Sequence, residues 1–410
     1  MFRYSIIFIW FVLSGSVFGN TLTVCPNCEI KTIKEAIEQA EPFDTIRVQK
    51  DVYKEHEIII DKPLTLIGID YPTIDGEHLG EIIQVQSDSV TIDGFIIKNV
   101  NRSFTKDNAA VRMVHSEQFL IQNLILENVY FGIYLQKSNR GIIRNNNISA
   151  IGKTEAGSGN GIHLWHCNNV LIDGNEMQGM RDGIYFEFAD SSTIRNNHSH
   201  DNIRYGLHFM FSNHDVYHDN IFERNGAGVA VMFSKHIDMH QNRFRENWGP
   251  SSYGLLLKEI NDAEIFDNIF EKNTIGINVE GTNRVTYRRN NFQENGWAIR
   301  VRGACYENLY TENNFLYNSF NLSYNSNLND NQFIHNYWSD YAGYDLDRDG
   351  IGDVPYRPVN LFSYIVNRSP EAIVLLRSLF MDIIDFSERV SPIFTPDKLI
   401  DPEPLMKMVK

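Results

Sequence analysis

The chain has 410 residues, 52 acidic against 37 basic side chains for a formal charge of −15, and four cysteines. So large an acidic excess repels polyphosphate, which argues against a nucleic-acid partner and makes a cation the more natural ligand. Four cysteines are too few to build a disulfide-based fold of this size.

Taken in chain order, residues 1–19 have a basic start at Arg3, an apolar run over 6–13 and a small residue at Gly19, the pattern of a secretory signal peptide. Arg3 is its only charged residue, so the mature chain stays strongly acidic. Cys25 and Cys28 then form a CxxC pair, which in an oxidising compartment suits a disulfide, a reactive dithiol or a soft metal such as copper. Residues 32–40 have helical spacing, with Ile33, Ala36, Ile37 and Ala40 on one side, and are expected to cap the open N-terminal end of a stack of strands. Val48, 58–60, 64–67 and 82–85 read as the first strands of that stack.

From 91 to about 318 the sequence repeats. Gly132, Gly161, Gly183, Gly206, Gly228, Gly254 and Gly276, with Ala298 continuing the series, stand about twenty-two residues apart, with two insertions. Fourteen residues after each glycine comes an asparagine: Asn146, Asn175, Asn197, Asn220, Asn242, Asn268 and Asn290. Asparagine tolerates left-handed backbone and can bond to its own copy one rung above, so such a column suits a stacked turn. Phe222, Phe244, Phe270 and Phe292 recur two residues further on, as an interior stack. Alternating apolar residues after each glycine describe short strands with one buried face. The expected fold is therefore all-β: a right-handed parallel β-helix over 20–340, with rungs about 4.8 Å apart. Residues 341–410 are expected to form an acidic loop, a helix over 370–389 and a proline-rich docking tail. The most apolar later stretch, 372–384, is interrupted by Arg377 and Asp382 and is no membrane span.

In stacked rungs, residues at one repeat offset form a column. Two after the glycine stand Tyr134, His163, Tyr185, His208 and Ala230; four after stand Gln136, Trp165, Glu187, Met210 and Met232. Both offsets point outward, so His208, Met210 and Met232 are expected within reach of one ion. His214 above His236, and His218 above His240, repeat the theme, while Met239 falls at a core offset. Thioethers with imidazoles favour Cu(I). The acids Asp345, Asp347, Asp349 and Asp353 around Gly350 match the first part of a calcium loop, but Tyr356 stands where its last ligand, a glutamate, belongs. A catalytic reading, as a β-helix lyase or epimerase using Asp182, Glu187 and His208, lacks an isolated pair of carboxylates. A third reading makes the same Met and aromatic surface a metal-free adaptor.

The runs 160–165 (NGIHLW), 182–188 (DGIYFEF), 204–213 (RYGLHFMFSN) and 231–234 (VMFS) resemble the NosD proteins of nitrous oxide reductase maturation. The likeness extends through 343–347, 354–358 (VPYRP), 369–372 and 401–405 (DPEPL). The resemblance implies a periplasmic, non-enzymatic accessory protein bound to an ABC transporter permease and ATPase. It implies copper received from a copper chaperone and passed to the apo-reductase, with membrane association only through the permease. Leu375, Leu376, Leu379 and Phe380 would then dock to that permease. The resemblance assigns no copper ligands.

Overall fold

A computed structural model describes residues 19–103, 105–325, 330–376, 378–390 and 399–410. The expected signal peptide lies outside these residues apart from Gly19, and so does 391–398 of the tail. The chain coils into a parallel β-solenoid with three sheets. A first sheet of fourteen strands runs from Thr21–Val24 to Gln332–Ile334, a second of thirteen from Val52–Tyr53 to Tyr337–Trp338, and a third of twelve from Ile58–Ile60 to Phe320–Tyr324.

The repeat glycines open strands of the third sheet. Each following residue pairs with its counterpart one rung on, from Ile133 with Ile162 through to Ile277 with Ile299. A Cβ at any of these glycines would collide with the carbonyl oxygen of the equivalent residue on the next rung. Close backbone approach therefore explains the glycine column.

The asparagine column is a buried ladder. Each Oδ1 accepts from the backbone N–H and the Nδ2 of the preceding rung's asparagine, as Asn197 Nδ2 to Asn220 Oδ1 at 3.0 Å and Asn220 Nδ2 to Asn242 Oδ1 at 2.9 Å. The left-handed backbone falls one residue earlier than expected, at positions such as Asn196, Asp219, Gln241 and Asp267. The ladder residues themselves are selected for their inward amide, which satisfies turn groups that would otherwise be buried unpaired. A second ladder through Asn202, Asn225, Asn247, Asn273, Asn295 and Asn318 does the same at the next turn. Inside, Phe222, Phe244, Phe270 and Phe292 stack at 4.6–5.6 Å between ring centroids and continue into Phe315 and Trp338.

Both ends are closed. Helix α1 (Ile33–Gln39), capped by Thr32, buries Ile33, Ala36 and Ile37 against the first rungs, as expected. The single C-terminal helix expected over 370–389 is instead α2 (Leu361–Arg368), a 3-10 turn (Pro370–Leu375) and α3 (Leu379–Val390). Asn360 caps the start of α2, and Pro370 disfavours helical backbone at Ser369, which separates the two helices. Phe362, Val366 and Ile384 pack on Ile275, Trp297 and Phe320 at the outer face of the third sheet. The described part of the tail, 399–410, packs back onto the last rungs while keeping residues such as Glu403 and Met408 exposed. Asp401 is fully buried and accepts from Asn336 N and Nδ2 and from Trp338 Nε1, ending the asparagine ladder on a carboxylate. Among the described residues no helix is long and apolar enough to cross a membrane.

Candidate metal site on the outer face of the third sheet

His208 and Met210 belong to strand Tyr205–Met210, whose inward residues Leu207 and Phe209 are fully buried. The register makes Tyr134, His163, Tyr185, His208 and Ala230 successive partners, and likewise Gln136, Trp165, Glu187, Met210 and Met232. Met210 and Met232 are thus nearest neighbours across the ladder, and His208 stands on the same face about 7 Å away along the strand.

The first column faces away from the core yet is enclosed, which corrects the expectation of an open surface. His208 is 6% exposed and His163 8%, against the half-buried Met210 and Met232. The His208 ring lies among Tyr185 and Tyr205, at 5.0 and 4.8 Å between centroids. Tyr253, from the second insertion in the repeat, approaches Tyr205 hydroxyl to hydroxyl at 3.4 Å. Burial is extreme enough at His163 to push its pKa down to about 3, helped by the nearby Arg181 charge.

Beside His208, Arg204 grips the fully buried Asp182 with both its Nε and a terminal nitrogen. Burial opposes ionisation of Asp182, but Arg204 and His208 outweigh it and hold its carboxyl below the ordinary range. His208 Nδ1 lies 3.4 Å from Arg204 and 3.8 Å from Asp182, while its Nε2 is buried with no hydrogen-bond partner among the described residues. Coordination through Nε2 requires the proton on Nδ1, directed at Asp182, rather than an Nδ1 lone pair accepting from Arg204. A buried carboxylate is the partner that favours this tautomer.

The remaining expected ligands lie elsewhere. Cys25 and Cys28 are joined in a disulfide, so neither sulfur is a thiolate ligand in this state. His214 and His236 stack at 4.7 Å in an exposed turn with left-handed backbone, beyond the strand that holds Met210. His218 and His240 stack at 5.0 Å on the first sheet, and Met239 is fully buried in the core. Asp345, Asp347 and Asp349 bring carboxylate oxygens within 4.8 Å of one another, whereas Asp353 is set apart to accept from Leu346 N. The three also cap the loop's backbone, Asp345 taking Arg348 N and Gly350 N and Asp349 taking Ile351 N, which is a sufficient structural use for them.

One cluster was not anticipated from the sequence. Glu176, His198 and His200 each place a ligand atom within 4.8 Å of the others on the second sheet. Glu176 and His198 share the offset fifteen after their glycines, which is the signal that marks them as ladder partners.

These features define a class: a parallel β-helix that carries methionine, histidine and aromatic side chains on the outer face of one sheet. A family model described as "Periplasmic copper-binding protein (NosD)" matches residues 148–343. A protein of Pseudomonas aeruginosa named "Probable ABC transporter binding protein NosD" is 26% identical over 401 residues, covering 85% of each chain. A protein of the same name from Stutzerimonas stutzeri is 33% identical over 73 residues, 18% of this chain and 17% of that one. The chain is thus similar to NosD proteins along most of its length. Solved structures of similar fold include a Yersinia enterocolitica family 28 exopolygalacturonase, at TM-score 0.54 and 9% identity over 78% of each chain. The periplasmic alginate epimerase AlgG aligns at 0.53 and 10%, over 78% of this chain and 82% of that one. At such identities these two speak for the fold alone.

Proposed function

We propose that this chain is a periplasmic accessory protein of nitrous oxide reductase maturation that binds Cu(I) through Met210, Met232 and His208 Nε2 and hands it to the apo-enzyme. The observation that carries the reading is the adjacent pair Met210 and Met232, half-buried on the same face as a buried imidazole nitrogen with no partner among the described residues. Two thioethers and one imidazole match the preference of Cu(I), and the half-buried sulfurs allow the ion to be exchanged. Asp182 orients His208 from behind, as carboxylates do for metal-bound histidines.

In this reading a copper chaperone loads the site and an ABC transporter, permease plus ATPase, drives the handover. The P. aeruginosa relative's name supports the transporter link. Support for where the permease sits comes from α3 and the turn before it, where Leu375, Leu379, Phe380, Ile383 and Phe386 are exposed, while Leu376 packs into the cluster beneath. The test is anaerobic Cu(I) competition against a chelator. Met210→Ala plus Met232→Ala, and His208→Ala alone, should each weaken binding by more than the roughly 10–100-fold that losing a ligand's outer partner costs. Wild-type affinity in both would overturn this ligand set, and no competitive binding by the wild type would overturn the reading in favour of a metal-free adaptor.

A further inference from the structure

The second sheet carries a histidine–carboxylate cluster on a different face from His208. Strand Glu176–Gln178 pairs with strand His198–His200, placing Glu176 beside His198, and strand Ile221–Glu223 follows with Glu223 beside His200. Met177, Ser199 and Phe222 point inward and are fully buried, so Glu176, His198, His200 and Glu223 all lie on the outer face, with Glu176 and His198 partly exposed and His200 and Glu223 covered.

Each histidine has one ring nitrogen on a carboxylate that is itself fixed. His200 Nδ1 meets Asp201 at 2.6 Å, and His198 Nε2 meets Glu223 at 3.1 Å. Arg224 bridges those two acids, with bonds of 3.0 and 3.1 Å to Asp201 and 2.7 Å to Glu223, and Arg245 holds Glu223 from the other side. Two guanidinium groups and the imidazole thus fix the Glu223 carboxylate in place. A histidine whose one N–H is donated to an anchored carboxylate presents the lone pair of its other nitrogen, which is how proteins prepare metal ligands. The nitrogens left over are His198 Nδ1 and His200 Nε2.

His200 Nε2 lies 3.3 Å from Glu176 Oε1, while Glu176 Oε2 accepts from Asn147 Nδ2 at 3.0 Å. With the His200 proton on Nδ1 facing Asp201, a lone pair on nitrogen is opposed to a lone pair on carboxylate oxygen. That contact is favourable only with a second proton on the ring or with a cation between the two.

We propose that Glu176, His198 and His200 form a binding site for a divalent first-row cation of the Zn2+ or Cu2+ kind. Two imidazoles and a carboxylate are borderline-to-hard donors that suit these divalent ions rather than Cu(I). Three protein ligands leave coordination positions to water or to a side chain of a bound partner. Asp201 and Glu223 are positioning residues, and the site does not depend on the Cu(I) reading above.

The test uses the mature full-length protein with Zn2+ and, separately, Cu2+ as probes. Competition titration gives affinity and stoichiometry, and electron paramagnetic resonance of the Cu2+ form reports nitrogen ligands. His198→Gln plus His200→Gln should remove one equivalent and its nitrogen couplings, and Asp201→Asn should weaken it about 10–100-fold. Glu176→Gln, at a side chain 44% exposed, covers the case in which the histidine variant does not fold. The equivalent should survive His208→Ala and loss of the exposed pair His214 and His236, which separates this site from the Cu(I) site and from adventitious surface binding. The proposal is overturned if wild type and both ligand variants bind the two ions alike, or if wild type binds neither. A doubly protonated His200 bridging Asp201 and Glu176 then accounts for the geometry.

Discussion

Asn242→Ala probes the element that sets the rung spacing. Asn242 Oδ1 accepts from Asn220 N at 3.0 Å and Asn220 Nδ2 at 2.9 Å, and its Nδ2 donates to Tyr217 O at 2.8 Å, His240 O at 3.0 Å and Asn268 Oδ1 at 3.1 Å. Truncation leaves Asn220 N, deep in the turn, without its partner and takes one of two donors from Tyr217 O, while Asn220 Nδ2 keeps Ile194 O at 2.9 Å. At about 1–3 kcal/mol for the buried group left unsatisfied and about 1 kcal/mol for the further bond lost, the loss is about 3 kcal/mol. Urea unfolding by circular dichroism reads the total. Because each rung of a solenoid leans on its neighbours, amide exchange should quicken first in the strands Val216–His218, Asp238–His240 and Asn261–Phe266. The exposed Arg243→Ala is the control, expected within about 0.5 kcal/mol of wild type. A loss under about 1 kcal/mol for Asn242→Ala, or uniform exchange along the whole solenoid, would falsify the ladder argument.

Three further outcomes are expected of the same structure. His163 is held neutral, with a folded pKa of about 3 against an ordinary 6.5. The unfolded chain therefore binds the extra proton, and stability should fall from pH 6.5 toward about 3 by as much as about 1.4 kcal/mol per unit. His163→Phe should flatten that slope in pH-dependent melts, and an unchanged slope would contradict it. Asp401→Ala removes the carboxylate that terminates the ladder, so exchange protection over strand Gln332–Ile334 and strand Tyr337–Trp338 should fall while that of the first rungs stays unchanged. Leu379→Glu plus Phe386→Glu, both at exposed positions, should abolish co-purification with the permease and leave the melting temperature unaltered.

The sequence carried the architecture because a solenoid writes its contacts at a fixed period. The glycine before Ile184, the amide of Asn220 and the ring of Phe270 each return one rung later, so offset converts directly into distance. The same arithmetic reaches the second ladder from Asn202 and the Glu176–His198 pairing once every offset is followed. The enclosure of His208 was only partly legible: Tyr185 shares its column, but the Tyr253 that backs Tyr205 comes from an insertion that breaks the period. Asp401 was hidden for a related reason: its partners Asn336 and Trp338 lie 65 and 63 residues earlier, and no repeat links them. The break between α2 and α3 was legible in Pro370, and the cap of α2 in Asn360.

In the proposed site Cu(I) sits between the Met210 and Met232 thioethers and the His208 imidazole. Copper K-edge X-ray absorption on the anaerobically loaded protein tests it most directly. Two sulfur scatterers and one imidazole nitrogen are expected, with both sulfurs lost in Met210→Ala plus Met232→Ala. A first shell of nitrogen and oxygen alone, or sulfur scattering that survives in that variant, would contradict it.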